Sequence, residues 1–345
     1  MQSIYRILMQ RRRAANLQRR AQNAVPCPIV SVGNLTTGGT GKTPAVQWLA
    51  RVLAGQNLRV GIAARGYGGQ LSASGALVSD GKTCILNVAQ AGDEAILHAR
   101  ALPSAIVAIA KDRHRAVEMC AKNGAEVVIL DDGFQFWSLP RDFDLVLLDA
   151  KRPFGNWHLL PRGRLREEPQ ALSRADAILL TRADRASERE VEYARELISE
   201  FTQAPIFTSS HAPRALRDEK TGADLSLKWL SRQRIKAFAG LADNTQFYDL
   251  LRALGAGPIV QLQRERGDHH AWKRGEFYWF QNAQSINQHQ KEIFDELPVV
   301  TTEKDAVKVD PSWFQGPLLS LQIALEIEEE SELQKLLFEK LPKAT

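Results

Sequence analysis

Short apolar runs that end at glycine or acidic residues alternate along this chain with stretches whose apolar positions recur every three or four residues. Pro28 to Gly33 reads as a buried strand entering a glycine-rich turn, and Pro44 to Leu53 follows at helical spacing. Further strand-like runs lie at Arg59 to Ala64, Ala105 to Ala110, Ala125 to Leu130, Asp144 to Leu148 and Asp176 to Thr181, with helical segments such as Arg113 to Asn123 between them. Strands that are apolar on both faces need cover on both faces, and helical crossovers make neighbouring strands parallel. The expected class is α/β with a parallel sheet. After Ala204 the pattern changes. Pro205 to Ser210 is strand-like, Ala215 to Asp224 is polar with turn residues, and a new strand-helix run opens at Ile235 to Gly240. The expected organisation is a basic N-terminal segment over 1–24, a core domain over 25–204, a linker over 205–232 and a smaller α/β domain over 233–345. In the last, the strand Leu318 to Ile327 and the helix Glu332 to Leu341 return toward the linker and core.

At 345 residues with 44% hydrophobic content, the chain can fill two cores. Three scattered cysteines, Cys27, Cys84 and Cys120, lack the paired spacing of a zinc site and fit a reducing compartment. No apolar run approaches the ~18 residues of a membrane span, so a soluble protein, or one lying against a membrane surface, is expected. Charge adds more. The net is +5, and the first acidic residue is Asp80. Before it, Arg6, Arg11, Arg12, Arg13, Arg19 and Arg20 interleave with Ile4, Tyr5, Ile7, Leu8 and Leu17. Four readings fit that segment: a helix on anionic lipid, a solvated helix packed on the core, a transit peptide and a nucleic-acid arm.

The strongest chemical signal is Thr36-Thr37-Gly38-Gly39-Thr40-Gly41-Lys42-Thr43, set between the first strand and helix. Glycines let backbone N–H groups converge on phosphate oxygens, and the helix N-terminus adds partial positive charge. Lys42 is placed for the β- and γ-phosphates and Thr43 for Mg²⁺. Thr36 stands where the usual pattern has glycine. This P-loop makes the core P-loop NTPase-like. Its metal needs an acidic group at the end of a neighbouring strand; Asp131 and Asp132, after Val127 to Leu130, meet that need, and with the P-loop present metal duty outweighs the alternative, capping of the next segment.

In order along the chain, Gly33-Asn-Leu-Thr36, Arg65-Gly-Tyr-Gly-Gly69, Ala91-Gly-Asp-Glu94, Asp131-Asp-Gly-Phe-Gln135, Leu165-Arg-Glu167, Asp268-His-His270 and Thr302-Glu-Lys-Asp-Ala306 resemble the tetraacyldisaccharide 4′-kinase family. The resemblance runs from about Pro26 to about Lys308. It implies transfer of the ATP γ-phosphoryl group to the 4′-hydroxyl of an acylated disaccharide 1-phosphate in lipid A synthesis. It also implies an active site between two α/β domains, and a cytoplasmic enzyme docked on the anionic inner-membrane surface, with no nucleic-acid partner expected. A sugar hydroxyl is a weak acid, so a group that activates it must stand beside it. The resemblance implies Asp93, paired with His269, for that task; alone, Asp93-Glu94 reads as a helix start and Asp268 to His270 as a polar turn. It further implies active-site roles for Arg113 and Arg166, with Glu167 as a metal neighbour beside Thr43, Asp131 and Asp132. Arg65 and Tyr67 receive no role.

Two departures stand out. Phe136 occupies the place where the family usually has histidine, so either that role is dispensable or a neighbour such as His114 or His158 takes it over. The N-terminal segment is shorter and richer in arginine than the apolar anchor of many members. A rival reading, a GTPase switch or metal-delivery protein, rests on Thr181-Arg-Ala-Asp184, which is similar to a guanine-reading element with Arg182 in place of lysine. A non-catalytic lipid-binding relic is a third, hinted at by Phe136.

Overall fold

A computed structural model gives the fold and describes residues 2–20, 26–240, 244–264, 277–279 and 296–342. Helix α1 (Gln2–Arg20) leads to strand β1 (Ile29–Asn34) and helix α2 (Lys42–Gly55). The chain continues through β2 (Val60–Ala64), β3 (Ala76–Asp80), α3 (Val88–Ala91), α4 (Asp93–Ala101), β4 (Ile106–Ile109), α5 (Arg113–Lys122), β5 (Val127–Asp131), β6 (Phe143–Asp149), β7 (Ala177–Thr181) and α6 (Glu188–Ser199). Then come β8 (Ile206–Asp218), β9 (Asp224–Leu225), β10 (Ile235–Phe238), α7 (Thr245–Ala253), β11 (Ile259–Arg264), β12 (Phe277–Trp279), β13 (Val299–Thr302), α8 (Glu303–Ala306), β14 (Leu318–Ile327) and α9 (Glu330–Lys340).

The described strands form one mixed, mostly parallel sheet in the order β12-β11-β10-β13-β14-β8-β7-β6-β1-β5-β2-β4-β3, with β9 beside β8. The run from β8 to β4 is parallel throughout, and its strands from β7 to β4 are buried along almost their whole length, as parallel strands covered on both faces are. Strand β1 lies between β5 and β6, with Val32 opposite Asp131. The loop after β1 and the acidic pair after β5 therefore leave the same edge of the sheet, where open α/β sheets hold their ligands.

Within 205–232 the chain forms β8. Its first residues extend the parallel core beside β7, with Ile206 opposite Ile178, and its remainder runs antiparallel to β14, from Ser209 opposite Ile327 to Asp218 opposite Leu319. The polar look of this stretch reflects half-burial: Leu216 is fully buried, while Ala215 and Arg217 on either side of it are only partly so. After β14, α9 returns to the first core. Leu333 and Leu337 join a cluster with Leu49 and Leu53 of α2 and Ile62 of β2, and Trp48 Nε1 donates to Glu330 Oε1 at 2.9 Å. Leu337→Ala should cost about 2–5 kcal/mol, the range for truncating a buried leucine, and lower the thermal midpoint measured by circular dichroism; an unchanged midpoint would contradict this packing.

Candidate active site

The eight residues Thr36 to Thr43 form the turn from β1 into α2. Gly41 precedes the helix in a left-handed conformation (φ 79°), and a Cβ there would come within 2.6 Å of His211 Nε2. Backbone conformation and close approach both demand glycine. Asn34 at the end of β1 donates through Nδ2 to the buried Thr40 hydroxyl at 2.7 Å. On the other side the segment 164–166 runs along the loop: Thr37 N donates to the Arg164 carbonyl and Arg166 N to the Leu35 carbonyl, each at 2.7 Å. Arg182 donates to the Gly39 carbonyl and to Asp149 Oδ2, the latter at 2.8 Å. Its own backbone is left-handed (φ 60°), which costs a non-glycine residue about 1–2 kcal/mol; these bonds offset it.

The acidic pair at the end of β5 divides. Asp131 is buried and accepts at Oδ2 from His98 Nε2 at 3.2 Å. Burial alone would raise its pKa, but the bond and charge of His98, with Lys42 and Arg113, outweigh it and hold the carboxyl below its ordinary value. A carboxylate can only accept, so His98 presents Nε2–H. Asp132 adopts a left-handed backbone (φ 57°) and turns its side chain the other way. Lys42 Nζ lies 3.6 Å from its Oδ1, and Arg166 Nη1 is 2.7 Å from both oxygens. Gln135 ties this group together, donating to the Asn34 carbonyl at 2.9 Å and to Glu167 Oε1 at 3.1 Å. Glu167 is gripped by Arg174 Nη2, at 2.9 and 3.0 Å. Arg113, first residue of α5, is buried with Nη1 on the Ala110 carbonyl at 2.9 Å. Burial pushes its pKa down to about 10, against the pull of Asp131 and Asp132, so it stays charged at neutral pH.

Asp93 opens α4, the helix that also carries His98. The glycine loop 65–69 sets its position: a Cβ on Gly69 would lie 2.6 Å from the Ala91 carbonyl carbon and 2.7 Å from the Gln90 oxygen, so only a bare backbone can press against the entry to α4. That contact is what Arg65-Gly-Tyr-Gly-Gly69 does here, while Tyr67 is exposed. Asp93 Oδ1 caps Glu94 N at 2.9 Å. Lys304 lies 3.6 Å from both Asp93 Oδ2 and Glu94 Oε1. Burial first, then Asp131 and Asp93, raise the Glu94 pKa against the pull of Lys304 and Lys42. His269 lies outside the described residues.

No three histidine, cysteine or acidic side chains gather into a metal cage among the described residues. Magnesium needs no such cage, since it binds through one or two carboxylates together with phosphate oxygens and water. Asp131 and Asp132 beside Lys42, with Thr43 in the first turn of α2, fit an ion that arrives with a nucleotide. Glu167 is already engaged by Arg174.

Residues 1–342 match the family model described as tetraacyldisaccharide-1-P 4′-kinase. The chain belongs to the tetraacyldisaccharide 4′-kinase family. It is 38% identical over 327 residues to the tetraacyldisaccharide 4′-kinase of Desulfatibacillum aliphaticivorans, covering 92% of this chain and 84% of that one. It is 43% identical over 286 residues to that of Anaeromyxobacter dehalogenans strain 2CP-C, covering 83% and 73%. Among solved structures, the crystal structure of LpxK from Aquifex aeolicus in complex with ATP superposes with a TM-score of 0.76 at 28% identity, covering 99% of this chain and 97% of that chain.

Within this tetraacyldisaccharide 4′-kinase framework the fold brings Lys42, Thr43, Asp131, Asp132, Arg113 and Arg166 to one sheet edge, with Asp93 across from them. Sequence reading passes over His98, His211 and Lys308, since each acts on a residue far away in the chain, and over Arg174, whose partner Glu167 lies seven residues back. Arg182, on which a guanine-reading role rests, is committed to the P-loop carbonyl and Asp149. Phe136 packs against His114, ring centroids 5.7 Å apart; His158 bonds its own neighbour, the Asn156 carbonyl, at 2.6 Å.

His211, pressed on the P-loop, has its pKa pushed down to about 4 by burial first and then by Arg182 and Arg185, with Asp184 opposing. The unfolded chain takes up this proton near pH 6.5 and the folded one near pH 4, so the associated stability is complete above the first value and lost as pH falls toward the second. His211→Asn should therefore lessen the difference in urea stability between pH 7 and about pH 4.5, by about 1–3 kcal/mol. An identical difference in variant and native protein would refute a buried, proton-resisting His211.

Proposed function

We propose that this protein uses ATP to phosphorylate the 4′-hydroxyl of tetraacyldisaccharide 1-phosphate, a step of lipid A assembly. One observation carries the reading: Lys42 with Asp132, and Asp93 with the helix tied to Asp131 through His98, face a common edge of the sheet. Such an arrangement can hold a triphosphate on one side and an acceptor on the other. Amides of Thr36 to Gly41 and the Lys42 ammonium grip the phosphates. Arg113 and Arg166 add fixed positive charge where negative charge spreads over the moving phosphoryl group. Mg²⁺, when bound with the nucleotide by Thr43, Asp131 and Asp132, with Glu167 behind them, neutralises phosphate oxygens. Asp93, paired with His269, orients the acceptor hydroxyl and receives or relays its proton. The acceptor then lies between the core, 25–204, and the smaller part, 233–345, a placement supported by Lys304 reaching Asp93 from α8.

The lipid would be met at the membrane surface. No described helix is long and apolar enough to cross a membrane. Helix α1 exposes Ile7 (47%) and Leu17 (42%) beside the exposed Arg6, Arg11 and Arg13, which suits shallow contact with anionic lipid on the cytoplasmic face of the inner membrane. Tyr5 donates to the Arg166 carbonyl at 3.1 Å and Arg6 pairs with Glu168, so the helix abuts the active-site segment. A cleft between them is lined by the apolar faces of Tyr5, Met9 and Trp137, by Arg6, Arg13 and Arg166, and by Glu167 and Glu168, which pair with Arg174 and Arg6.

Lys42→Ala and Asp93→Ala are each expected to lower ATP-dependent phosphorylation of tetraacyldisaccharide 1-phosphate by about 10²–10⁴-fold, with lipid binding changed far less. Full turnover in either variant would remove that residue from the chemistry. Co-sedimentation with anionic liposomes should weaken in high salt and after deletion of residues 1–20; binding indifferent to both would exclude α1 as the docking helix.

A further inference from the structure

The turn that begins the second half of the Thr302-Glu-Lys-Asp-Ala306 motif has no assigned task, yet it reaches the reacting side. Asp93 Oδ2 is buried and has no hydrogen-bond partner among the described residues. Two ammonium groups lie near it, Lys308 Nζ at 3.4 Å and Lys304 Nζ at 3.6 Å. Lys308 has only 2% of its side chain exposed and is also 3.2 Å from Asp305 Oδ1. Asp305 is anchored without it: Oδ2 accepts from Gly240 N and from the Thr302 hydroxyl, each at 2.7 Å. Lys308 Nζ donates to the other oxygen, Oδ1. A buried ammonium is costly to desolvate, and one held between two buried carboxylates ties Asp93 to this anchored turn.

We infer that Lys308, assisted by Lys304, is a positioning residue for phosphoryl transfer: from the Thr302–Lys308 turn it fixes the rotamer of Asp93 and aims Oδ2 at the acceptor hydroxyl. The inference rests on the proposed acceptor role of Asp93. Separations of 3.4–3.6 Å orient that oxygen by charge, with neither ammonium making a hydrogen bond to it. Because α4 belongs to the core and the turn follows β13 on the far side of β8, the contact also joins the two halves of the sheet at the reacting group.

A double-mutant cycle read on phosphoryl transfer to lipid tests this. Lys308→Met should lower kcat by about 30-fold or more in the native background, with KM for ATP within about twofold, but by less than about 3-fold in an Asp93→Asn background. Lys304→Met, at a partly exposed site that tolerates substitution, should show the same pattern with a loss of about 5–10-fold, and serves if Lys308→Met does not fold. Equal factors in both backgrounds would make the lysines supports of the fold alone and overturn the inference. Native turnover in Asp93→Asn itself would instead bring down the acceptor reading beneath it.

Discussion

Two adjacent carboxylates at the end of a buried strand take different partners, and the site is arranged around that division. Strand β5 delivers Asp131 inward, where burial would cost heavily without a partner; His98 supplies one at 3.2 Å. A left-handed backbone at Asp132 turns the next carboxylate outward to Lys42 and Arg166. Aspartate is among the few residues that tolerate this conformation with a short polar side chain, so the backbone at this corner and the chemistry of the pair are one feature.

From this division the second side of the site follows. His98 stands on the helix whose first residue is Asp93, and the bond to Asp131 fixes that helix relative to the P-loop strand. Gly69 presses on the chain just before Asp93, and Lys304 and Lys308 approach it from the other half of the sheet. The P-loop is braced in turn by Asn34 on Thr40, Arg182 on the Gly39 carbonyl and the segment 164–166 along Leu35 to Thr37. Donors fixed before the reaction begins need not reorganise during it, which is how a site made largely of positions and charges gains rate.

Much of this can be read from the sequence where signals are local. Short, mostly apolar runs mark β1, β5, β6 and β7 within a few residues, and the glycine pattern with Lys42-Thr43 marks the phosphate loop. Strand β8 is harder: beyond Ser210 its residues alternate buried and half-buried against β14, and the pattern resembles a polar turn. His98 reads as one more residue of an amphipathic helix, because nothing near it in sequence reveals that Asp131, thirty-three positions away, stands opposite. The same holds for Lys308 and Asp93, and for Arg182 and Gly39. Family resemblance supplies Arg113, and Asp93 where local pattern favours a helix start; the partners that hold them emerge only when the chain is folded.

Phosphorus NMR of the lipid after incubation with the native protein and ATP is the most direct measurement of the central claim. A new phosphomonoester resonance on the distal glucosamine, growing in step with ADP, is the expected result. Release of inorganic phosphate from nucleotide with the lipid spectrum unchanged would contradict it.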